Sequence, residues 1–331
     1  MRPVSSSTLV QSFTERIAAL PPMRVDARVT ALRHSLIDAS IDALLVTASS
    51  NIRYLTGFTG SAGIVVVTGH DMVLVTDGRY TDQAADQLSA SSAPCRLEIT
   101  STEQRSIVGS ALAGARRVGL EADHVTWSAQ RRYAEEWFPD LEVCATSGLV
   151  ERLRRTKDEA ELARMELAAA IADAALAAHR SELRDGPTEA EFALRLDSTM
   201  RMLGASSTSF ETIVASGPNG AKPHARPTDR RIGDGDLVVV DFGCIVDGYC
   251  SDMTRTVAIG DIDDTCTLML EVVTAANAAG VAAVRAGASA SDVDAAARAV
   301  IADAGWASAY THGTGHGVGL DIHEAPRVAA T

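Results

Sequence analysis

Residues 238–243, VVVDFG, are followed by the dipeptide Asp247-Gly248 and by a second strand-like segment, Tyr249–Ile259. A run of β-branched residues, an Asp-Gly pair and a second run of strand-forming residues are typical of a β-hairpin. The sequence therefore predicts a hairpin with Asp247 and Gly248 at its tip, and the rest of the chain is interpreted around it.

Asp241 and Asp252 become neighbours in this hairpin. In the predicted register residue 241 lies opposite residue 254 and residue 243 opposite residue 252, so both carboxylates point to the same face, one diagonal step apart. Like charges this close need a raised pKa, a basic partner or a metal ion. Arg255 is predicted to point to the opposite face, so a divalent cation is the favoured partner.

Composition limits the classes of protein that fit this chain. It has 331 residues, of which 46% are apolar and 22% charged, as expected for a globular protein with two domains. The net charge of −13 argues against a nucleic-acid or anionic membrane surface. The N-terminus has no apolar signal region, and no apolar run approaches the ~18 residues of a membrane span. We therefore expect a cytoplasmic protein without nucleic-acid or membrane partners.

Local patterns divide the chain into three parts. Residues 1–24 are Ser-rich at their start and are predicted to form a loose N-terminal arm. Residues 25–150 alternate between helix and strand patterns, which predicts an α/β domain. Residues 151–331 begin with two helical patterns, the second of them preceded by the capping pair Thr188 and Glu191, and continue with strands, two further helices and a Gly-rich segment.

The second chemical cluster is residues 310–326, YTHGTGHGVGLDIHEAP. Glycine at every second position opposes a helix, which excludes a helical zinc motif. Read as an extended segment, it places His312 and His316 on one face and His323 on the other.

A third cluster, SGPNGAKPHAR at residues 216–226, is a turn-rich loop that presents His224. Taken singly, each cluster has an ordinary structural explanation: an Asp that caps a turn, a His with structural hydrogen bonds, a Gly-rich loop. Their occurrence together favours a chemical site.

Five segments resemble the Xaa-Pro aminopeptidase and prolidase group of the M24-type "pita-bread" metallopeptidases. The segments are NIRYLTGFTGSAG, VTDGRYTDQAADQ, SGPNGAKPHARPTD, VVVDFGCIVDGYCSDMTRT and HGTGHGVGLDIHEAP. The resemblance extends from about residue 25 to the end. It implies an N-terminal creatinase/prolidase-like α/β domain followed by an α+β pita-bread catalytic domain, which is a curved antiparallel sheet with flanking helices.

The resemblance also implies a role for each residue that matches a family motif. The implied metal ligands are Asp241, Asp252, which bridges two ions, and His316. The implied catalytic residues, which bind substrate and move protons, are His224, His312 and His323. The implied cofactors are two divalent metal ions, manganese by preference and cobalt or zinc as alternatives. The implied partners are peptides with proline at the second position and a second copy of the chain in a homodimer.

One feature departs from the family pattern. The family's remaining two metal ligands are glutamates on strands that follow the HGxGHGxGLxxHE segment, and the sequence stops at Thr331, soon after that segment. Glu324 is not, by position, one of these glutamates. We therefore expect a catalytic domain that is incomplete at its C-terminus, either as a fragment or as a natural short form.

These features favour a metal-dependent peptidase that cleaves the bond between an N-terminal residue and proline through a hydroxide activated by two metal ions. The alternatives are a non-catalytic peptide-binding relative and an inactive fragment that lacks two glutamate ligands. A creatinase-like hydrolase without metal is disfavoured by Asp241, Asp252 and His316. The sequence leaves open the metal, the preference for dipeptides or longer peptides, and the oligomeric state.

Overall fold

A computed structural model describes residues 6–330, which form two compact units. The N-terminal unit is Pro21–Ala160. The C-terminal unit consists of the described residues before Pro21 together with those from Glu161 onward. The predicted α/β and pita-bread organisation is confirmed.

Helix α1, Ser6–Ala18, occupies most of the segment predicted to be a loose arm. That prediction was wrong for these residues, while residues 1–5 lie outside the described part of the chain. Phe13 is 4% exposed and packs into the core of the C-terminal unit, and Ile17 packs against the same core. The four-residue spacing of Leu9, Phe13 and Ile17 is helical, but the Ser-rich start of the segment obscures it.

The N-terminal unit is an α/β sandwich around one sheet. Its elements are α2 (Asp26–Asp38), β1 (Ala43–Val46), α3 (Ser49–Thr56), β2 (Ile64–Thr68), β3 (Met72–Thr76), α4 (Thr81–Ser91), β4 (Arg96–Ile99), α5 (Gln104–Ala111), β5 (Arg117–Glu121), α6 (Trp127–Arg131), β6 (Glu142–Thr146) and α7 (Leu149–Arg154). The six strands are ordered β4-β3-β2-β1-β5-β6. All residues of β1 and β3 are buried, as expected for strands covered on both faces.

The C-terminal unit combines long helices with short antiparallel sheets. Its further elements are α8 (Glu159–His179), α9 (Glu189–Met202), β7 (Ser207–Thr208), β8 (Ile213–Ser216), β9 (Leu237–Phe242), β10 (Cys244–Val246), β11 (Tyr249–Cys250), β12 (Met253–Ala258), α10 (Asp264–Ala283), α11 (Ala290–Asp303), β13 (Gly315–Gly317) and β14 (Glu324–Val328). The strand orders are β12-β9-β8, β11-β10-β7 and β13-β14. The predicted capping box of Thr188 and Glu191 at the start of α9 is confirmed.

The central hairpin has the predicted turn and register. Asp247 and Gly248 have φ values of 41° and 78°, and two central residues with positive φ are typical of the type I′ turn. Asp241 pairs with Thr254 along β9 and β12. The turn chemistry therefore sets the register that brings Asp241 and Asp252 to one face.

Gly243 separates β9 from β10 and bends the hairpin. A Cβ atom at this position would lie 2.0 Å from the carbonyl oxygen of Ser251 on the other arm. Only glycine allows the two arms to approach this closely, because no other residue type lacks that atom. The bend divides the hairpin between two sheets just before Asp252.

Helix α10 has the length and composition of a membrane span, although it contains no uninterrupted apolar run of ~18 residues. Its 20 residues meet that criterion by length and composition, and only 11% of its most apolar 18-residue window is buried. The apolar side chains Leu268, Met269 and Val273 are exposed. Glu271 and the interspersed Thr and Asn residues interrupt the apolar run, and Asp264 carries a second charge at the start of the helix.

Candidate metal centre

The C-terminal unit contains a cavity of about 1020 Å³. Its wall includes every residue predicted to be a metal ligand or a catalytic histidine, namely Asp241, Asp252, His224, His312, His316 and His323. These side chains come from the hairpin, from the loop between β8 and β9, and from the Gly-rich segment. The structure therefore brings together three clusters that are far apart in sequence.

The two aspartates lie beside each other on the hairpin wall. The Oγ1 of Thr254 donates a hydrogen bond of 2.8 Å to Oδ1 of Asp241. Burial raises the pKa of Asp241, the hydrogen bond from Thr254 opposes this, and the charge of Asp252 raises the pKa further. Burial also raises the pKa of Asp252. Burial is therefore the main cause of both shifts, and repulsion between the two carboxylates contributes to the shift of Asp241.

Arg255 does not neutralise this pair. Its guanidinium lies 3.7 Å from Oδ1 of Asp173, an exposed residue of α8. The arginine therefore points away from the two carboxylates, as the register predicts. A positive partner for Asp241 and Asp252 must come from elsewhere.

His316 on β13 is the basic group nearest to the aspartates. Its Nε2 lies 3.3 Å from Oδ2 of Asp252. Its Nδ1 donates a hydrogen bond of 2.9 Å to the carbonyl oxygen of Gly317. A proton on Nδ1 leaves the Nε2 lone pair available, which is the usual arrangement of a metal-binding histidine.

The side chains of Asp241, Asp252 and His316 are of the types that bind divalent metal ions. Two ligand atoms that each lie ~2.1 Å from a shared ion are separated by ~3.0–3.4 Å at octahedral or tetrahedral angles, and the Nε2 to Oδ2 distance of 3.3 Å falls in this range. Carboxylate and imidazole donors together suit manganese, cobalt or zinc. Within residues 6–330, however, no group of three or more His, Cys, Asp or Glu side chains is close enough to form a complete metal-binding cluster.

The extended interpretation placed His323 on the face opposite His316, and this prediction was wrong. The two rings are 4.5 Å apart between centroids, with an interplanar angle of 63°. The reason is that the chain turns back between β13 and β14, which pair as antiparallel strands with an irregular register after His316. The prediction assumed one continuous strand, and the reversal returns His323 to the same cavity wall.

His312 lies at the edge of the cavity and is held through its backbone. Arg298 on α11 donates hydrogen bonds of 2.9 Å to the carbonyl oxygens of Tyr310 and His312. Asp294, 1% exposed, accepts hydrogen bonds from Arg298 and from the amide of Thr314. Sequence reasoning missed this support. The four-residue spacing of Asp294 and Arg298 is visible in the sequence, but the segment that they contact is not.

A second cavity of about 450 Å³ adjoins the two aspartates, and His224 lines it as well. Its wall includes the apolar side chains of Phe210, Ile213 and Ile322. The cavity thus places an apolar surface next to the polar groups, which is the usual composition of a small-ligand site. Phe210 and Ile322 carry no motif signal, so the sequence did not indicate them.

Glu324 also lines the larger cavity. Its Oε1 accepts a hydrogen bond of 3.1 Å from the amide of Asp321. This contact stabilises the turn between His316 and His323, which is a structural role for the glutamate next to the motif.

Two known protein families match this chain. Residues 163–331 match the model of metallopeptidase family M24, and residues 28–156 match the creatinase/prolidase N-terminal domain. The chain is 32% identical to the Xaa-Pro dipeptidase of Pyrococcus horikoshii over 88% of its own length and 80% of that protein.

Solved structures of similar proteins have the same fold. The Xaa-Pro dipeptidase from Bacillus anthracis is 37% identical, with a TM-score of 0.87 over 92% of this chain and 84% of that one. The X-Pro aminopeptidase from Thermotoga maritima is 32% identical, with a TM-score of 0.81 over 90% of this chain and 85% of that one.

Proposed function

The chain belongs to metallopeptidase family M24, and we propose that it is a metal-dependent peptidase that cleaves the bond between an N-terminal residue and proline. The observation that carries this proposal is the convergence of Asp241, Asp252 and His316 on one cavity that three further histidines also line. A groove that only binds peptides does not require clustered carboxylates and an oriented imidazole. They are the donors that divalent-metal chemistry requires.

Asp241, Asp252 and His316 would hold the two divalent ions. We propose manganese, with cobalt or zinc as alternatives. When bound, divalent ions polarise the scissile carbonyl and lower the pKa of water enough to generate a nucleophile near neutral pH.

The histidines around these donors would bind the substrate and move protons. The nitrogen of the leaving proline must gain a proton as the bond breaks, and imidazole is the side chain best suited to donate one near neutral pH. We assign this role to His224, His312 and His323, because all three line the cavity, whereas His316 faces Asp252 and is assigned to the metal. His323 packs edge-on against His316, so it lies next to a residue that would hold the metal.

Proline at the second position of the substrate suits this geometry. The amide before proline has no N–H group, so a site that depends on that donor would bind such peptides poorly. The apolar wall formed by Phe210, Ile213 and Ile322 offers a surface for the proline ring. From the family resemblance we also infer a homodimer, which light scattering of the purified protein tests.

The proposal is tested with metal-depleted protein to which manganese, cobalt or zinc is returned. The substrates are Ala-Pro, Ala-Pro-Ala and the matched control Ala-Ala-Ala, and the released alanine is measured. We expect metal-dependent release from the proline peptides and none from the control. Comparison of the dipeptide with the tripeptide distinguishes a dipeptidase from an aminopeptidase. Tight binding of the proline peptides without release, under every metal, would instead identify a non-catalytic peptide-binding relative.

A further inference from the structure

Glu189, the first residue of α9, is completely buried and holds both ends of the loop that carries His224. We call residues 216–228 the His224 loop. The backbone N and the Oγ of Ser216 each donate a hydrogen bond of 2.7 Å to Oε1 of Glu189. The backbone N and the Oγ1 of Thr228 donate bonds of 3.0 and 2.6 Å to Oε2. One carboxylate therefore binds the first and the last residue of the loop.

A third contact comes from inside the loop. The Nδ2 of Asn219 lies 3.1 Å from each oxygen of Glu189. Burial of an ionised carboxylate is costly unless donors surround it, and hydrogen bonds to a charged acceptor are stronger than neutral ones. Burial alone would raise the pKa of Glu189, but the hydrogen bonds from Thr228 and Ser216 outweigh this effect, and the pKa is lowered. Glu189 is therefore ionised at neutral pH and binds the loop as an anion.

His224 depends on this loop for its position. Its side chain is exposed and lines both cavities. Among the residues that the structure describes, none forms a hydrogen bond with its imidazole. No hydrogen bond between the imidazole and a described residue holds the ring in place, so its position relative to Asp241 depends on the backbone of the loop.

We propose that Glu189 is a positioning residue that fixes the His224 loop over the cavity through its hydrogen bonds to Ser216, Asn219 and Thr228. The hydrogen bonds of Glu189 support its role in holding the loop. The expected effect of Glu189 on turnover rests on the proposed function, in which His224 acts on the substrate.

The first test measures the loop without any activity. Glu189→Gln keeps the shape of the side chain but turns an amide group with its own hydrogens toward the Ser216 or Thr228 donors. We expect the amides of Ser216 and Thr228 to exchange hydrogen about tenfold faster, because a charge-assisted hydrogen bond is lost. The imidazole signal of His224 in an NMR spectrum, assigned with His224→Ala, should shift, while the signals of His316 and His323 stay in place.

Asp294→Asn is the matched control, since Asp294 is also a buried carboxylate that binds a site-bearing segment. It should increase exchange around Thr314 and leave the His224 loop unchanged. If amide exchange increases equally and throughout the C-terminal unit in both variants, Glu189 only stabilises the unit as a whole and the proposal is wrong. Unchanged amide exchange in Glu189→Gln would also overturn the proposal.

If Glu189→Gln fails to fold, Thr228→Val and Ser216→Ala each remove one hydroxyl donor on the loop side. Smaller increases in exchange confined to residues 216–228 support the positioning role. Increases spread over α9 and β9 contradict it.

The second test uses turnover of Ala-Pro peptides. Glu189→Gln should lower kcat about tenfold or more with a smaller change in KM, and the double variant with His224→Ala should be no slower than His224→Ala alone. Additive losses would show that Glu189 does not act through His224. If His224→Ala keeps full activity, the catalytic assignment of His224 fails, while the exchange and NMR results still decide the role of Glu189.

Discussion

Nε2 of His316 on β13 lies 3.3 Å from Oδ2 of Asp252, which lies between β11 and β12 and is far from His316 in sequence. The bend at Gly243 places Asp252 at the cavity wall, and the pairing of β13 with β14 brings His316 to it. The hydrogen bond from Nδ1 to Gly317 fixes the orientation of the ring. This contact joins the hairpin to the Gly-rich segment, and the first two predictions test it.

Asp252→Asn should remove metal binding and turnover while the fold is retained. An amide binds a divalent ion more weakly than a carboxylate and does not neutralise its charge. Loss of a group that only orients a metal ligand costs about 10–100-fold in activity, so loss of a ligand should cost at least about 100-fold in kcat/KM. The measurements are turnover of Ala-Pro peptides and calorimetric titration with manganese.

Asp173→Asn is the control, because Asp173 is an exposed aspartate of the same unit that pairs with Arg255. It should bind manganese and turn over substrate like the wild-type protein. Wild-type turnover by Asp252→Asn would show that the assignment of Asp252 as a metal ligand is wrong.

The histidines should separate into two groups by metal content. His316→Ala should bind less metal, because it removes the imidazole that faces Asp252. His224→Ala and His323→Ala should keep their metal and lose rate, because these rings are proposed to act on substrate and protons. The metal content of the three purified variants is measured by elemental analysis after dialysis against manganese. Equal metal loss in all three variants would contradict the division into metal-binding and substrate-binding histidines.

The parts of the site that depend on local rules were predictable from the sequence. The positions of Asp241 and Asp252 follow from the Asp247-Gly248 turn, because a two-residue turn fixes the register of both arms. His316 lies on β13, in keeping with the extended interpretation of its segment, and lines the cavity. Its role as a metal ligand came from the family resemblance and stays a prediction.

Features that depend on distant contacts were not predictable in this way. The predicted face of His323 was wrong because the chain reverses after His316. This reversal is stabilised by Glu324 and by strand pairing, and the sequence shows no turn motif there. The supports provided by Glu189 and Asp294 were missed because each carboxylate binds a segment 20 or more residues away. The sequence shows where an acidic residue lies on a helix, but it does not show which distant segment the carboxylate binds.

Asp294 should stabilise the C-terminal unit at neutral pH and lose this effect in acid. The hydrogen bond from Arg298 lowers the pKa of Asp294 below its ordinary value of 3.8, against the effect of burial, and the hydrogen bonds from Thr314 lower it further. Because the folded-state pKa lies below the unfolded one, the unfolded chain binds more protons between these two values. The stabilisation is therefore complete above about pH 4 and declines as pH falls through the folded-state pKa.

The measurement is urea unfolding of wild-type protein and Asp294→Asn at pH 7, 5 and 3. We expect the variant to be less stable by about 1–3 kcal/mol at pH 7 and at pH 5, because buried donors lose an acceptor. The difference should narrow at pH 3. A difference that stays constant down to pH 3 would show that the charge of Asp294 does not contribute.

Gly243→Ala should disrupt the hairpin and with it the site. The new Cβ atom would lie 2.0 Å from the carbonyl oxygen of Ser251, which is backbone and cannot rotate away as a side chain could. The arms must separate, which weakens the hydrogen bond from the Ser251 amide to Cys244 and moves Asp252 away from His316. Insertion of one methyl group into a well-packed region costs about 1–3 kcal/mol, and a backbone clash belongs at the upper end of this range.

Gly233→Ala is the control, because a Cβ atom at Gly233 would meet no atom within 4 Å. Thermal unfolding should show a clear decrease in Tm for Gly243→Ala and little change for Gly233→Ala. Titration with manganese should show weaker binding in the folded fraction of Gly243→Ala only, since the bend places Asp252 relative to His316. If Gly243→Ala unfolds and binds manganese like the wild-type protein, the hairpin arms have room to separate without moving the donors. The close approach at Gly243 would then have no role in building the site.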